Sequence, residues 1–442
     1  MSDDVRLVIR DGVALLTLDA PPVNALNADI CDALARALDR IAGNLTVRAV
    51  VLLAQGRFFS AGVDLRDREA ADYLARLCDR IDGFDRPVVA ALQGLALGGG
   101  AELALAAHFR LALPEAGIGL PEVTLGLIPA AGGTQRLARL VGAQAALGLL
   151  LGARPLGAQA AQKIGLIDGV VQGDLPSAGL VYATGLIKAG QGPRPSAARR
   201  ERLADGMGWM QAVTTRRQSL GQGPLASFAA ARIVDCVEAA LLLPSSAALT
   251  FERAAYEDCL AHPQSRALRH IYLAERQISP DLLAKTDGGR ALTPAGQAVC
   301  DRLTAALHRA AQSMERIEVE PAQIDGALVA AGFVQGPFGG LVAEPDQPVL
   351  RRMLAALMAE GGRLVDYGTV ARAADIDALA VHGMGFPRIA GGPMMAAQQM
   401  GLIGLRRDMQ HWMADDRVWA PPALMSAAIK LAGGFEALSS PA

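Results

Sequence analysis

Apolar runs at 5–9 and 13–18 flank Asp11-Gly12, a pattern that predicts two short strands joined by a tight turn. Pro21, Pro22 and Asn24 break the chain. From 25 to 41 apolar residues recur at helical spacing, and 48–53 returns to an unbroken, β-branched run of the kind that forms a buried strand. A further strand at 86–91 leads into Gly94-Leu95-Ala96-Leu97-Gly98-Gly99-Gly100-Ala101-Glu102, from which a helical run, 101–107, would begin. A strand at 109–113 follows, then helical patterning at 135–151 and 156–163 and the stretch Ala161-x-x-Ile164-Gly165-Leu166-Ile167-Asp168. This half alternates short strands with helices.

Beyond it the pattern changes. The Gly/Pro-rich segment 188–195 reads as a linker, and 196–280 reads as helices, with Arg199-Arg200-Glu201-Arg202 on a solvated face. The remainder is helical and weakly repeated. Arg302-Leu303-Thr304-Ala305-Ala306-Leu307 matches Arg352-Met353-Leu354-Ala355-Ala356-Leu357, and Ile324-Asp325 matches Ile376-Asp377. Gly332-Phe333 and Gly385-Phe386 follow, each ahead of a Gly-Pro pair at 336–337 and 392–393. Apolar residues at helical spacing here are read as core.

Candidate chemistry centres on the glycine run. Consecutive glycines let backbone approach a ligand closely. The helix they open offers unpaired NH groups and a partial positive charge to an oxygen that becomes negative during reaction. Glu102 falls in its first turn. A second carboxylate, Glu122, follows Pro121, which restricts Leu120 to extended geometry, so Glu122 is expected to start a turn. Two glutamates and a donor-rich loop are thereby expected to converge.

The totals exclude several classes. With 442 residues, two or three domains are expected. The 42 basic and 44 acidic residues give no basic excess of the kind that marks nucleic-acid binding, and no polybasic tract suggests a membrane surface. Only four of the basic residues are lysines (Lys163, Lys188, Lys285 and Lys430), so arginine is expected to meet most anionic groups. The five cysteines lack a CxxC pair and the six histidines lack metal spacing, so no metal is expected and His108 is read as structural. The start, Met1-Ser2-Asp3-Asp4, carries no secretory pattern, and the most apolar stretch, 88–107, contains Gln93 and Glu102; an intracellular, cytoplasmic protein without a membrane span is expected.

The glycine run with Glu102, the Pro121-Glu122 turn, the loop Phe59-Ser60-Ala61-Gly62-Val63-Asp64-Leu65 and the run Ile128-Pro129-Ala130-Ala131-Gly132-Gly133-Thr134-Gln135-Arg136-Leu137 resemble the crotonase (enoyl-CoA hydratase/isomerase) superfamily. The resemblance covers about residues 5–190. It implies an α/β crotonase fold (a ββα spiral) over 1–190, a helical linker over 191–280, and over 281–442 an all-α domain resembling the C-terminal domain of 3-hydroxyacyl-CoA dehydrogenases. The helix ending at Ser279-Pro280 resembles the one that joins the two parts in multifunctional enzymes of fatty acid β-oxidation. Their nucleotide-binding domain is not expected here. No GxGxxG turn occurs, and Lys285-Thr286-Asp287-Gly288-Gly289-Arg290 is read as not following a strand.

As the resemblance implies, Glu102 and Glu122 are the catalytic carboxylates, and the NH groups of Val63 and Gly99 form an oxyanion hole. Ala61, Gly62, Asp64, Leu65, Gly98, Pro121 and Gly132 border the substrate. The implied reaction is hydration of a 2-enoyl-CoA, with 3,2-enoyl-CoA isomerisation as a second activity. Glu122 is assigned as acid/base at C2 and Glu102 as the partner holding water. Coenzyme A enters only as part of the substrate, and no NAD is expected. The end, Ser440-Pro441-Ala442, carries no peroxisomal signal. The chain is expected to be monomeric or associated with a separate dehydrogenase. Two rivals remain: another crotonase reaction such as thioester hydrolysis or decarboxylation, and a noncatalytic acyl-CoA-binding scaffold.

Overall fold

The computed structural model describes residues 4–67, 69–222, 226–287, 289–431 and 433–438; the chain ends, from which the targeting expectations were drawn, and Gly288 of the glycine turn lie outside them. By packing, the chain forms two units, one of residues 1–220 with 227–260, the other of 221–226 with 261–442.

The first unit is built on a six-stranded sheet. Strands β1 (Val5–Arg10) and β2 (Val13–Leu18) form the expected hairpin. Strand β2 then pairs in parallel with β3 (Ala49–Ala54), which pairs with β4 (Val88–Leu92). After a short strand β5 (Leu95–Leu97), β6 (Phe109–Ala112) extends the sheet beside β4. Strand β7 (Gly117–Gly119) and strand β8 (Leu156–Gly157) join β5 in a small second sheet, and β9 (Gly169–Val170) closes the edge of the first.

Alternate residues of the large sheet feed two cores, as the twofold periodicity of a strand requires. Val51, Leu53, Val89, Ala91, Phe109 and Leu111 pack with Leu175, Ala183 and Leu186 of the helix Leu175–Lys188. Val50, Leu52, Val88, Ala90 and Leu92 face the main core. That core includes helices α1 (Ala28–Ala42) and α2 (Ala70–Asp82) and the short helix α3 (Gly99–Ala106), which begins two residues earlier than the sequence pattern suggests. Coverage on both faces explains why the strands read as continuous apolar runs.

The helical patterning at 135–151 forms two helices, α4 (Gly133–Val141) and α5 (Ala143–Gly152), separated at Gly142. The segment 188–195 is tied down rather than free: Arg194 pairs with Asp168 and lies 4.0 Å over the Phe109 ring. Residues 191–280 do not pack as a separate linker. Trp209 and Val213 of the helix Gly206–Ser219, and Ile233, Val234 and Val237 of α6 (Phe228–Leu242), enter the main core, as do Ala255 and Cys259 of α7 (Ser245–Ala261). The packing boundary therefore falls near residue 260.

The second unit is not all-α. Leu283–Thr286 and Gly289–Leu292 form a two-stranded antiparallel hairpin, so Lys285 and Thr286 lie in a strand. The antiparallel pairing still differs from a strand-turn-helix nucleotide site. Around it the helices Pro294–Glu315, Pro321–Ala330, Gln347–Asp366 and Ala373–Gly383 enclose a separate core. The sequence repeat is structural. Asp325 accepts hydrogen bonds from the NH groups of Phe338 (3.1 Å) and Gly340 (3.0 Å), and Asp377 accepts them from Met394 (2.7 Å) and Met395 (3.2 Å). In each half a buried aspartate binds the amides that follow a Gly-Pro pair, in a non-helical turn at 338–340 and in the first turn of the helix Pro393–Gln399. Among the described residues no helix is long and apolar enough to cross a membrane.

Candidate active site

The loop before Asp64 is held by side chains the sequence reading did not single out. Asn24 donates to the carbonyls of Gln55 and Phe58, both at 2.8 Å, and the Ser60 hydroxyl donates to the Asn24 carbonyl at 2.7 Å. The Gly62 NH then donates to Ser60 Oγ at 3.1 Å. Leu26 pairs with Val63 in a parallel bridge, through Leu26 NH to Gly62 O and Asp64 NH to Leu26 O. In such a bridge the NH of the central residue points the other way. The Val63 NH is thereby turned from Leu26.

This loop meets the start of α3. A Cβ on Gly62, whose φ is +96°, would stand 2.7 Å from the Leu97 carbonyl oxygen and 3.2 Å from the Gly99 nitrogen, so only glycine permits the approach. Val63 N in turn lies 3.4 Å from where a Gly99 Cβ would be. Gly99 is the first residue of α3, and the first NH groups of a helix have no acceptor within it. The two amides expected to form an oxyanion hole are thus neighbours.

Glu102, in the first turn of α3, is 2% exposed, and its Oε1 accepts from Ala131 NH (2.7 Å) and Gly133 NH (2.8 Å). Glu122 opens a 3₁₀ turn, Glu122–Leu125, directly after Pro121, as the proline pattern anticipates. Its Oε1 lies 3.1 Å from the position a Gly98 Cβ would take, while its Oε2 is sealed from solvent with no hydrogen-bond partner. Although the residue as a whole is only half-buried, that oxygen is dry. Such an orphaned buried acceptor is costly and common at reacting centres.

Burial pushes the Glu102 carboxyl up to about 7, with the charge of Glu252 as the second cause; the Ala131 and Gly133 amides and Arg136 oppose the rise. Burial also pushes Glu122 well above the usual carboxylate range, with Glu102 next in effect. Two carboxyl groups that share a dry site resist ionising together. The anchored Glu102 suits the carboxylate form, and Glu122, whose Oε2 has no partner, suits the acid.

The remaining expected residues divide. Gly98 is the N-cap of α3, its NH bonded to Gly119 O at 2.9 Å, and Pro121 caps the turn that carries Glu122. Ala61, exposed, and Leu65, half-buried, flank the Val63 amide. The Asp64 carboxylate is occupied by Arg66 at 2.7 Å, which holds it below its ordinary pKa, so it stabilises the loop. Gly132, expected at the substrate, has both polar groups engaged internally: its NH donates to Glu252 and its carbonyl accepts from Arg136 NH at 2.8 Å. His108 is structural, accepting at Nδ1 from Val88 NH (3.0 Å) and donating from Nε2 to Asp82 O (3.1 Å).

Glu252 is the site residue the sequence reading missed. Its signal was present: Ala248, Glu252, Ala255 and Cys259 form the buried stripe of α7, and a charge on such a stripe calls for partners.

Residues 8–188 match the family described as enoyl-CoA hydratase/isomerase, and the chain belongs to this family. It is 41% identical over 174 residues to a probable enoyl-CoA hydratase of Bacillus subtilis (strain 168), covering 37% of this chain and 67% of that one. It is also 36% identical over 275 residues to the peroxisomal bifunctional enzyme of Danio rerio, covering 61% of this chain but only 38% of that protein's length. Among solved structures, Pseudomonas aeruginosa DspI is 31% identical, covering 49% of this chain and 92% of that one, with a TM-score of 0.41.

Proposed function

We propose that the first unit hydrates 2-enoyl-CoA thioesters. The observation that carries this reading is the pairing of an anchored glutamate, Glu102, with Glu122, whose Oε2 is dry and without a partner, beside the adjoining amides of Val63 and Gly99. The thioester oxygen accepts from those two amides, which draws electrons from C3. A water held between the glutamates adds its oxygen to C3 while Glu102 takes its proton. The negative charge passes to the thioester oxygen, where each amide donor contributes about 3 kcal/mol in the transition state. Glu122 then protonates C2. The proton gained by Glu102 replaces the one lost by Glu122, so one water is added in all.

A proton removed from C2 and returned at C4 needs only the same enolate stabilisation and Glu122, and 3,2-enoyl-CoA isomerisation is a second reaction of this site. The second unit corresponds, in this reading, to the C-terminal helical domains of 3-hydroxyacyl-CoA dehydrogenases; its duplicated aspartate turn supports that reading. It acts without NAD, and the hydroxyacyl product passes to a separate dehydrogenase. Saturable NADH binding by calorimetry would contradict the cofactor assignment.

Incubation with a short 2-enoyl-CoA in ¹⁸O-water tests the reaction itself. Hydration places one ¹⁸O at C3 of an intact 3-hydroxyacyl-CoA. Release of free CoA with ¹⁸O in a carboxylate would assign thioester hydrolysis instead.

A further inference from the structure

Glu252 is fully buried on α7, about 120 positions along the chain from the loop it meets. Its Oε1 accepts from Gly132 NH, and its Oε2 accepts from Thr134 NH at 2.8 Å and from the Thr134 hydroxyl. The Thr134 hydroxyl in turn accepts from Gln135 Nε2 at 3.0 Å, and that amide also donates to Cys236 O at 2.8 Å. Every partner of Glu252 is therefore a donor. The two backbone amides can only donate, and with Arg136 they favour the anion against burial, which raises this carboxyl above its ordinary value.

The loop 131–134 is thus held by two carboxylates in alternation. Ala131 and Gly133 donate to Glu102, and Gly132 and Thr134 donate to Glu252. These amides form the N-terminus of α4, where the partial positive charge of the helix suits two anions. Gly132 has φ +88°, and a Cβ there would come within 1.9 Å of Arg136 Nη1, which itself donates to Ala131 O. No other side chain lets the loop turn this tightly between its two anchors.

We propose that Glu252 is a positioning residue of the hydration: by fixing the Gly132 and Thr134 amides it aims those of Ala131 and Gly133 at Glu102, and it sets its own negative charge behind that carboxylate. This rests on the hydratase reading. Glu252 touches no reacting atom and acts through Glu102. The charged and titratable groups packed around Glu102 are Glu252 from α7, Glu122 from the 3₁₀ turn, Arg136 from α4 and the buried Cys78 from α2. Glu252 strengthens proton binding at Glu102, and Arg136 weakens it.

The test compares Glu252→Gln with wild-type protein in kcat, KM and the pH dependence of kcat/KM on a short 2-enoyl-CoA. Glutamine keeps the shape, removes the charge and turns an NH₂ toward one loop amide. The expected result is a kcat lowered at least tenfold with KM within about threefold, together with an acid limb displaced to lower pH. A purely structural role would leave the limb in place. Should that variant fail to fold, Glu252→Asp retains the charge but shortens the reach, and is expected to keep the acid limb while losing kcat. An unchanged kcat and limb in Glu252→Gln, or an unchanged kcat in Glu252→Asp, overturns the proposal. Absence of hydration in the wild-type protein would instead overturn the hydratase reading.

Discussion

Glu102 and Glu252 bind the same four-residue loop and share its consecutive amides in alternation. One carboxylate is thereby held by the other's anchor. A backbone loop is a stiffer mount than a side chain, and hydration needs its base placed to within a fraction of an ångström.

The raised Glu102 gives a sign to the stability profile. Its folded value, about 7, lies above the ordinary carboxylate value, so between about pH 4.5 and 7 the folded state holds a proton that the unfolded chain has released. The contribution of this one carboxyl to folding stability is therefore fullest below pH 4.5 and falls as pH rises toward 7, opposite in sign to that of Glu275, which is held down to about 2. Glu102→Gln removes this dependence. Urea unfolding at pH 5 and pH 8 is expected to show the variant gaining on the wild type by on the order of 3 kcal/mol at the higher pH.

Gly62→Ala tests the oxyanion loop. The added Cβ meets two backbone atoms, the Leu97 carbonyl oxygen and the Gly99 nitrogen, neither of which can swing away. The Val63 and Gly99 amides are expected to separate, with a loss of kcat of roughly 100-fold or more. A folded variant with kcat near wild type would show that the two amides do not act together.

In the second unit, Asp377 accepts from His270 Nε2 at 2.8 Å as well as from two backbone amides, and it is 1% exposed. Asp377→Ala leaves those amides buried and unpaired, with an expected cost of about 3 kcal/mol. Thermal melting followed by a probe in this unit measures it. Asp325→Ala, at the equivalent turn of the first half, is expected to behave alike.

Much of this was legible in the residues. The strands were readable because both faces of the sheet are covered, which leaves their apolar runs unbroken; the turn at Glu122 was readable because Pro121 permits little else. Glu102 and Glu122 were singled out as candidates through local motifs. Glu252 was not, because its partners lie about 120 residues away, and a charge on a buried helical stripe says that partners are needed without saying which. For the same reason the sequence could not show that the Gly132 NH is bonded to Glu252. The hairpin of 283–292 was missed because it is short and half exposed, with little apolar alternation to mark it. The boundary near 260 was hidden because helices of either unit carry similar patterns, and only packing decides which core each one enters.

The most direct measurement is the loss of conjugated-thioester absorbance when the purified chain meets a short 2-enoyl-CoA, with Glu102→Gln and Glu122→Gln alongside. The two-glutamate account predicts turnover in the wild type and a fall of at least 100-fold in each variant, since each general acid or base contributes 10²–10⁴. Tight acyl-CoA binding without turnover by the wild type, across short and long chains, or a variant that keeps its rate, would contradict it.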